Sequence, residues 1–164
     1  LSRVAISSDI RQAFLQICNA DKHKDTVRFL WTDSDPRLDS KPKLLIYRFK
    51  RLLFGLNTSP FQLAATIKHH IEKYREEYPT TVHHLDSYMY VDDWITGQDT
   101  REEALIISRS AKKIMKEAGM EMRKWISNDS ALMSQWSEEA FDTYPLDIPI
   151  NLGTNNAKVL GMTW

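Results

Sequence analysis

Apolar residues keep two different rhythms along this chain. Pro60, Ala64, Ile67, Ile71, Tyr74 and Tyr78 recur every three or four positions, the spacing of one face of a helix. Ser59 stands ahead of Pro60, with Gln62 three positions on. That is a capping-box pattern, so a helix is expected from Ser59 to about Glu77, ending before Pro79. A second capping box, Thr100 with Glu103, precedes the stripe Ala104, Ile107, Ala111, Ile114 or Met115, and Ala118, and Gly119 closes that helix.

Elsewhere the rhythm is shorter. Residues 3–8 are β-prone and lead into Asp9, after which 9–17 turn helical or turn-like. Stretches 26–31 and 44–54 are strand candidates separated by a polar, proline-containing loop over 33–42. Residues 85–89 and 94–96 read as two strands around Tyr90-Val91-Asp92-Asp93, a hairpin with the aspartate pair at its turn and Gly97 at its end. Alternation carried on to Val91 puts Tyr88, Tyr90 and Asp92 on one face and Leu85, Met89 and Val91 on the other. A short strand over 120–126, a short helix within 127–136, an irregular acidic insertion over 138–156 and a strand or tight hairpin around Gly161 complete the chain. The predicted fold class is α+β: an antiparallel sheet with two amphipathic helices packed on one face, the layering of ferredoxin- and RRM-like cores.

Composition narrows the classes. The 164 residues are 42% hydrophobic and 27% charged, ordinary globular material in one domain or subdomain. No run approaches the ~18 apolar residues of a membrane span, and no signal-peptide pattern opens the chain. The single cysteine, Cys18, allows no internal disulfide and points to a reducing compartment. The chain opens on Leu1 and is expected to be a piece of something longer or a processed product. Lys plus Arg equals Asp plus Glu at 22 each, so nucleic-acid binding would need local patches. Lys41, Lys43, Arg48, Lys50 and Arg51 form the clearest one, either a solvated strand face or a phosphate-facing strip.

The aspartate pair is the strongest chemical signal. At about 4 Å, two like charges repel by roughly 1 kcal/mol in water and about 4 kcal/mol near a protein surface. A divalent metal would offset that; a plain polar turn is the alternative. Asp9, at the end of an adjacent strand, can reach the same point, or it can cap a helix with Gln12. The helix N-terminus behind Gly55 can face an anion. His69-His70 and His83-His84 lack the ligand spacing of a zinc site and are expected as exposed histidines on a helix face and a loop.

Five segments taken in order resemble the reverse transcriptases, most closely those of Pao/BEL-type long-terminal-repeat retrotransposons. Asp9-Ile10-Arg11-Gln12-Ala13-Phe14 is similar to the family's first aspartate motif, and residues 54–61, Phe-Gly-Leu-Asn-Thr-Ser-Pro-Phe, to its glycine–serine–proline motif. Tyr90-Val91-Asp92-Asp93 matches the paired-aspartate motif. Residues 123–128 and 160–164 resemble the next two, so the likeness spans essentially the whole chain.

The resemblance implies a palm subdomain that lacks most of the fingers and the thumb, from a Pol polyprotein. It implies template-dependent transfer of nucleotides from dNTPs to a primer 3′-hydroxyl on RNA or DNA, with two Mg2+ ions, for which Mn2+ can substitute. Asp9, Asp92, Asp93 and the Ile10 carbonyl would be metal ligands, and Lys124 would donate a proton to the leaving pyrophosphate. Arg11, Gln12, Ala13, Phe14, Phe54 and Gly55 would meet the nucleotide, with Phe14 as steric gate against a 2′-hydroxyl. Many retroviral relatives carry Gln where this chain has Phe54. Ser59, Pro60, Tyr90, Val91, Gly161 and Met162 would lie along primer and template. Partners would be the primed template, dNTPs and the rest of the polyprotein (fingers, thumb, ribonuclease H), with no membrane. The setting would be intracellular and cytoplasmic, virus-like particles included. Residues 1–164 alone are expected to polymerise little or nothing. Two other readings stay open: a non-catalytic RRM-like nucleic-acid-binding module, whose sheet stacks bases on Tyr88 and Tyr90, and an inactive retroelement remnant.

Overall fold

The computed structural model describes residues 2–35, 37, 41–144, 158–159 and 162–163. Strand β1 is Val4–Ile10, followed by the one-turn helix α1 (Ala13–Gln16) and a 3-10 helix over Asp21–Val27. β2 (Arg28–Thr32) and β3 (Leu44–Arg48) precede helix α2 (Ser59–Ile71), which a 3-10 turn over Glu72–Tyr74 ends. Then come α3 (Pro79–Tyr88), β4 (Met89–Tyr90), β5 (Asp93–Gln98), α4 (Arg101–Glu117), β6 (Met122–Ser127) and α5 (Ser130–Glu138). β7 (Lys158–Val159) and β8 (Met162–Thr163) pair as an antiparallel hairpin; Gly161, expected at its turn, and 145–156 of the expected insertion lie outside the described residues.

The chain divides into two compact units, one made of 1–11 with 64–164 and the other of 12–63. The first is α+β. Its four-stranded sheet has the order β4-β5-β1-β6, antiparallel throughout. On β1, Val4, Ile6, Ser8 and Ile10 are buried while Ala5, Ser7 and Asp9 face outward, the period-2 pattern of a sheet covered on one side. Helices α3, α4 and α5 pack on the covered side. Trp94, Trp125 and Trp136 are fully buried there, with ring centroids 5.3–5.9 Å apart, and Phe141 closes the cluster 5.0 Å from Trp125.

α4 forms as its sequence dictates. Thr100 accepts from the Glu103 backbone N–H and the Glu103 carboxylate accepts from that of Thr100, while Ala104, Ile107, Ala111, Ile114 and Met115 are buried. The capping box satisfies backbone N–H groups at the start of a helix that packs on β1 and β5, so removing it has a readable cost. Thr100→Ala is expected to destabilise the unit by about 1 kcal/mol, seen as a lower urea midpoint at unchanged m-value.

Three local expectations are corrected. Residues 85–88 belong to α3 and are not a strand. Pro79 supplies the helix start, and buried Thr81, Val82 and Leu85 recur at three- and four-residue spacing, which short-range alternation over 85–91 mimics. Ser59 is not the cap of α2 but its first residue, buried, with its hydroxyl donating to the Leu53 carbonyl at 2.6 Å. The helix beyond Ile71 tightens to a 3-10 turn and does not reach Glu77.

The second unit is smaller. β2 and β3 form an antiparallel hairpin in which Phe29 stacks on Tyr47. Leu30 and Ile46, paired across the strands, are 61% and 68% exposed. Arg48 and Arg28 share Asp25, and Arg51 donates to the Gln16 carbonyl and Cys18 Sγ, so part of the basic stretch is engaged within the unit. Among the described residues no helix is long and apolar enough to cross a membrane.

Candidate active site

The open face of the four-stranded sheet carries the acidic residues. β1 and β5 run in register from Val4 opposite Gln98 to Asp9 opposite Asp93. Directly paired residues on antiparallel strands point to the same face, with Cβ atoms about 4.5–5.5 Å apart. Asp9 and Asp93 are such a pair. Asp92 stands beside them in the turn, and its carbonyl accepts from the Ile10 N–H at 2.8 Å, which ties the hairpin tip to the end of β1.

Alternation had placed Asp92 on the strand face. Because β4 is only two residues long and Tyr90 pairs with Asp93, Val91 and Asp92 are instead the two turn residues, and Asp93 takes the face position. Asp9 lies inside β1, and α1 starts without a side-chain cap, so the capping reading of Asp9 does not hold. Val91 has φ 58° and Asp92 does not share a positive φ, the pattern of a type II′ hairpin turn that glycine normally serves. A β-branched residue there stores on the order of 1–3 kcal/mol, the sort of strain that collects at working sites.

A second irregularity shapes the cationic side. Between Ser7–Ile126 and Asp9–Arg123 the β1–β6 register shifts, so two steps along β1 face three along β6. Lys124, at φ 52°, is the extra residue of this β-bulge, and Ser8 Oγ fills the interrupted ladder by donating to the Arg123 carbonyl at 2.9 Å. In a regular strand Arg123 and Lys124 would point to opposite faces. The bulge turns both onto Asp9: Arg123 Nε lies 2.8 Å from Oδ1 and Lys124 Nζ 2.9 Å from Oδ2.

Three carboxylates thus meet two cations, and both cations sit on Asp9. Burial first, then the Asp92 and Asp9 charges, push the Asp93 carboxyl above its ordinary 3.8, while Lys124 pulls it back. The sign follows: folded Asp93 keeps its proton to a higher pH than unfolded Asp93. Its contribution to stability is present in full below pH 3.8 and is lost as pH rises through the raised value. Asp93→Asn should therefore raise the Tm at pH 7, with the gain vanishing below pH 3.8. A variant that melts below the native protein at pH 7 would contradict this.

The donor set suits a hard divalent cation: oxygen ligands only, with negative charge in excess. As the side chains stand, however, no group of three or more His, Cys, Asp or Glu among the described residues is arranged to hold a metal ion. The Asp9 oxygens are directed at Arg123 and Lys124, so binding would require that carboxylate to turn.

No family model matches this chain, and no curated protein matches it.

The other expected site residues fall in different places. Ile10 is a buried core side chain, and Arg11 pairs with Glu121. Tyr90 is 66% exposed, on the same face as Asp93. In the smaller unit, Gln12 precedes α1 at φ 50°, and Ala13 and Phe14 are buried. The Phe14 ring meets the Phe54 ring edge-on at 4.5 Å. Gly55 has φ +83° and open space around its missing Cβ, so backbone conformation and not close approach within the chain demands glycine there. Pro60 is exposed in the first turn of α2. Met162 pairs with Val159.

The histidine pairs both lie on helices, and the second is not in a loop. His84 sits between Thr96 Oγ1 (2.6 Å) and Gln98 Nε2 (3.1 Å), and His70 lies 2.7 Å from the Ile114 carbonyl. Burial, then His83, lowers the His84 pKa, as suits a neutral ring in a hydrogen-bonded packing role.

Arg123 was the residue that sequence reasoning left without a role. Two adjacent cations in a predicted strand do not suggest a shared partner; only the bulge makes them converge.

Proposed function

We propose that this chain is the palm of a reverse transcriptase of the Pao/BEL type, joining dNTPs to a primer 3′-hydroxyl under the direction of an RNA or DNA template. The observation that carries the reading is the placement of Asp9 opposite Asp93, with Asp92 beside them in a strained turn, on the uncovered face of a helix-backed sheet. When bound there, two divalent ions would favour deprotonation of the 3′-hydroxyl and neutralise charge at the phosphoryl group.

The chain's own residues have distinct parts. Asp9, Asp92 and Asp93 supply the oxygen donors, and the rigid β1–β5 register sets their spacing. Lys124, half exposed beside Asp9, would give a proton to the departing pyrophosphate. Tyr90 offers an exposed ring on which a terminal base can stack. In this reading the protein works in the cytoplasm, with the rest of a Pol polyprotein as partner and Mg2+ as cofactor.

That same Tyr90 ring also favours a second reading, a non-catalytic nucleic-acid-binding sheet. The two part on chemistry, since phosphates and three converging carboxylates repel unless cations intervene. The test is primer extension by the chain in its full-length context. Template-directed incorporation of dNTPs with Mg2+, abolished by a chelator, is expected. Tight primer–template binding without incorporation would leave the binding module.

A further inference from the structure

We propose that Arg123 is an exchangeable counter-ion of this site: it holds Asp9 when no metal is bound and, once a divalent cation takes that carboxylate, turns its guanidinium to the phosphates of the substrate. The inference rests on the polymerase reading and gives that site a further positioning residue.

Geometry carries the first half. Arg123 Nε and Lys124 Nζ take one oxygen of Asp9 each, so a metal ion cannot gain that carboxylate without displacing or sharing with one of them. The side chain of Asp9 is only 18% exposed, against 32% for Arg123 and 51% for Lys124. The ion pair is therefore partly sheltered, where charge–charge interaction is weakly screened by salt. The arrangement is also built at a cost. Lys124 sits in a left-handed conformation that lysine seldom adopts, and the interrupted ladder needs Ser8 Oγ to satisfy the Arg123 carbonyl. A plain strand would have turned one of the two cations away from the face.

Chemistry carries the second half. Guanidinium has five N–H donors, and Nε is the one that Arg123 commits to Asp9. The planar fork fits two phosphate oxygens at once, which an ammonium does not. Released from Asp9, the side chain remains anchored on β6 opposite β1, on the face where the triphosphate of the proposed reaction would lie. Exchange of one anionic partner for another keeps the guanidinium paired in both states and spares the site an unpaired, half-buried charge.

The experiment uses the chain itself with Mg2+ and with Mg2+-pyrophosphate as probes, followed by calorimetry, and far-UV circular dichroism to check folding. Arg123→Gln should bind Mg2+ alone roughly tenfold more tightly, because a cation a few ångströms from the metal position is gone. The same variant should bind Mg2+-pyrophosphate more weakly than the native chain. Arg123→Lys should restore native Mg2+ affinity but not pyrophosphate affinity, since it returns the charge without the fork. A merely structural role would weaken both. Unchanged or weaker Mg2+ binding in folded Arg123→Gln overturns the exchange, and unchanged pyrophosphate binding overturns the phosphate role. If the native chain and Asp9→Asn bind Mg2+ equally, the metal-site reading falls and takes the proposal with it.

Discussion

Asp92→Asn, measured in the full-length context, should reduce primer extension by roughly a thousandfold or more, a barrier increase of about 4 kcal/mol. Asp92 is a turn residue whose backbone is already fixed by the Ile10 N–H, so the substitution leaves the hairpin standing and removes one formal charge. The amide keeps an oxygen but loses much of its affinity for a hard cation. Asp93 next to it would then be relieved of a neighbouring charge that raises its pKa, so the fold should gain slightly while the activity collapses. That opposition separates a chemical from a structural role. A fall of less than tenfold would remove Asp92 from the proposed ligands, and a fall accompanied by a lower Tm would point to the turn and not the metal.

Trp125→Ala carries the largest expected effect on stability. Trp125 is fully buried and central, with Trp94 at 5.9 Å, Trp136 at 5.3 Å and Phe141 at 5.0 Å between ring centroids, and its indole N–H donates to the Met122 carbonyl. Truncating a buried aromatic of this kind costs about 3–5 kcal/mol, from lost transfer energy and from the cavity left behind. The Tm should fall on the order of 10 °C for a chain of this size. The loss should also reach the site. Trp125 directly follows the bulge residue Lys124, and its side chain anchors β6 to the core while its neighbours Arg123 and Lys124 face Asp9. Divalent-cation affinity is then expected to change in Trp125→Ala even under conditions where it is still folded. Ile126→Ala, next in sequence but on the other face of β6, is the control and should lower the Tm by only a small fraction of that amount.

These two residues mark how far letters alone reach. The α4 helix was readable because its information is local: Thr100 and Glu103 cap each other three positions apart, and the apolar stripe has one period. The turn at Val91-Asp92 and the strand after it were readable for the same reason, since they lie within ten residues, but Asp93 belongs to β5 and not to the turn. Residues 85–88 misled because four or five positions cannot distinguish a period of 2 from the end of a period of 3.6, and Pro79, which decides the matter, lies outside the window. Ser59 missed its cap by one position because its hydroxyl prefers the Leu53 carbonyl, a partner chosen by the approach of the preceding loop.

From the order of its residues, then, the chain declares an α+β composition, the acidic pair and the candidate third carboxylate. What folding alone decides is which acid faces which. The β1–β5 register sets Asp93, not Asp92, across from Asp9, and the β6 bulge brings Arg123 and Lys124 to one carboxylate. The physical reason is that pairing register and bulges follow from how strands distant in sequence close over the tryptophan core. A one-residue slip there exchanges the faces of a strand without changing a letter of it.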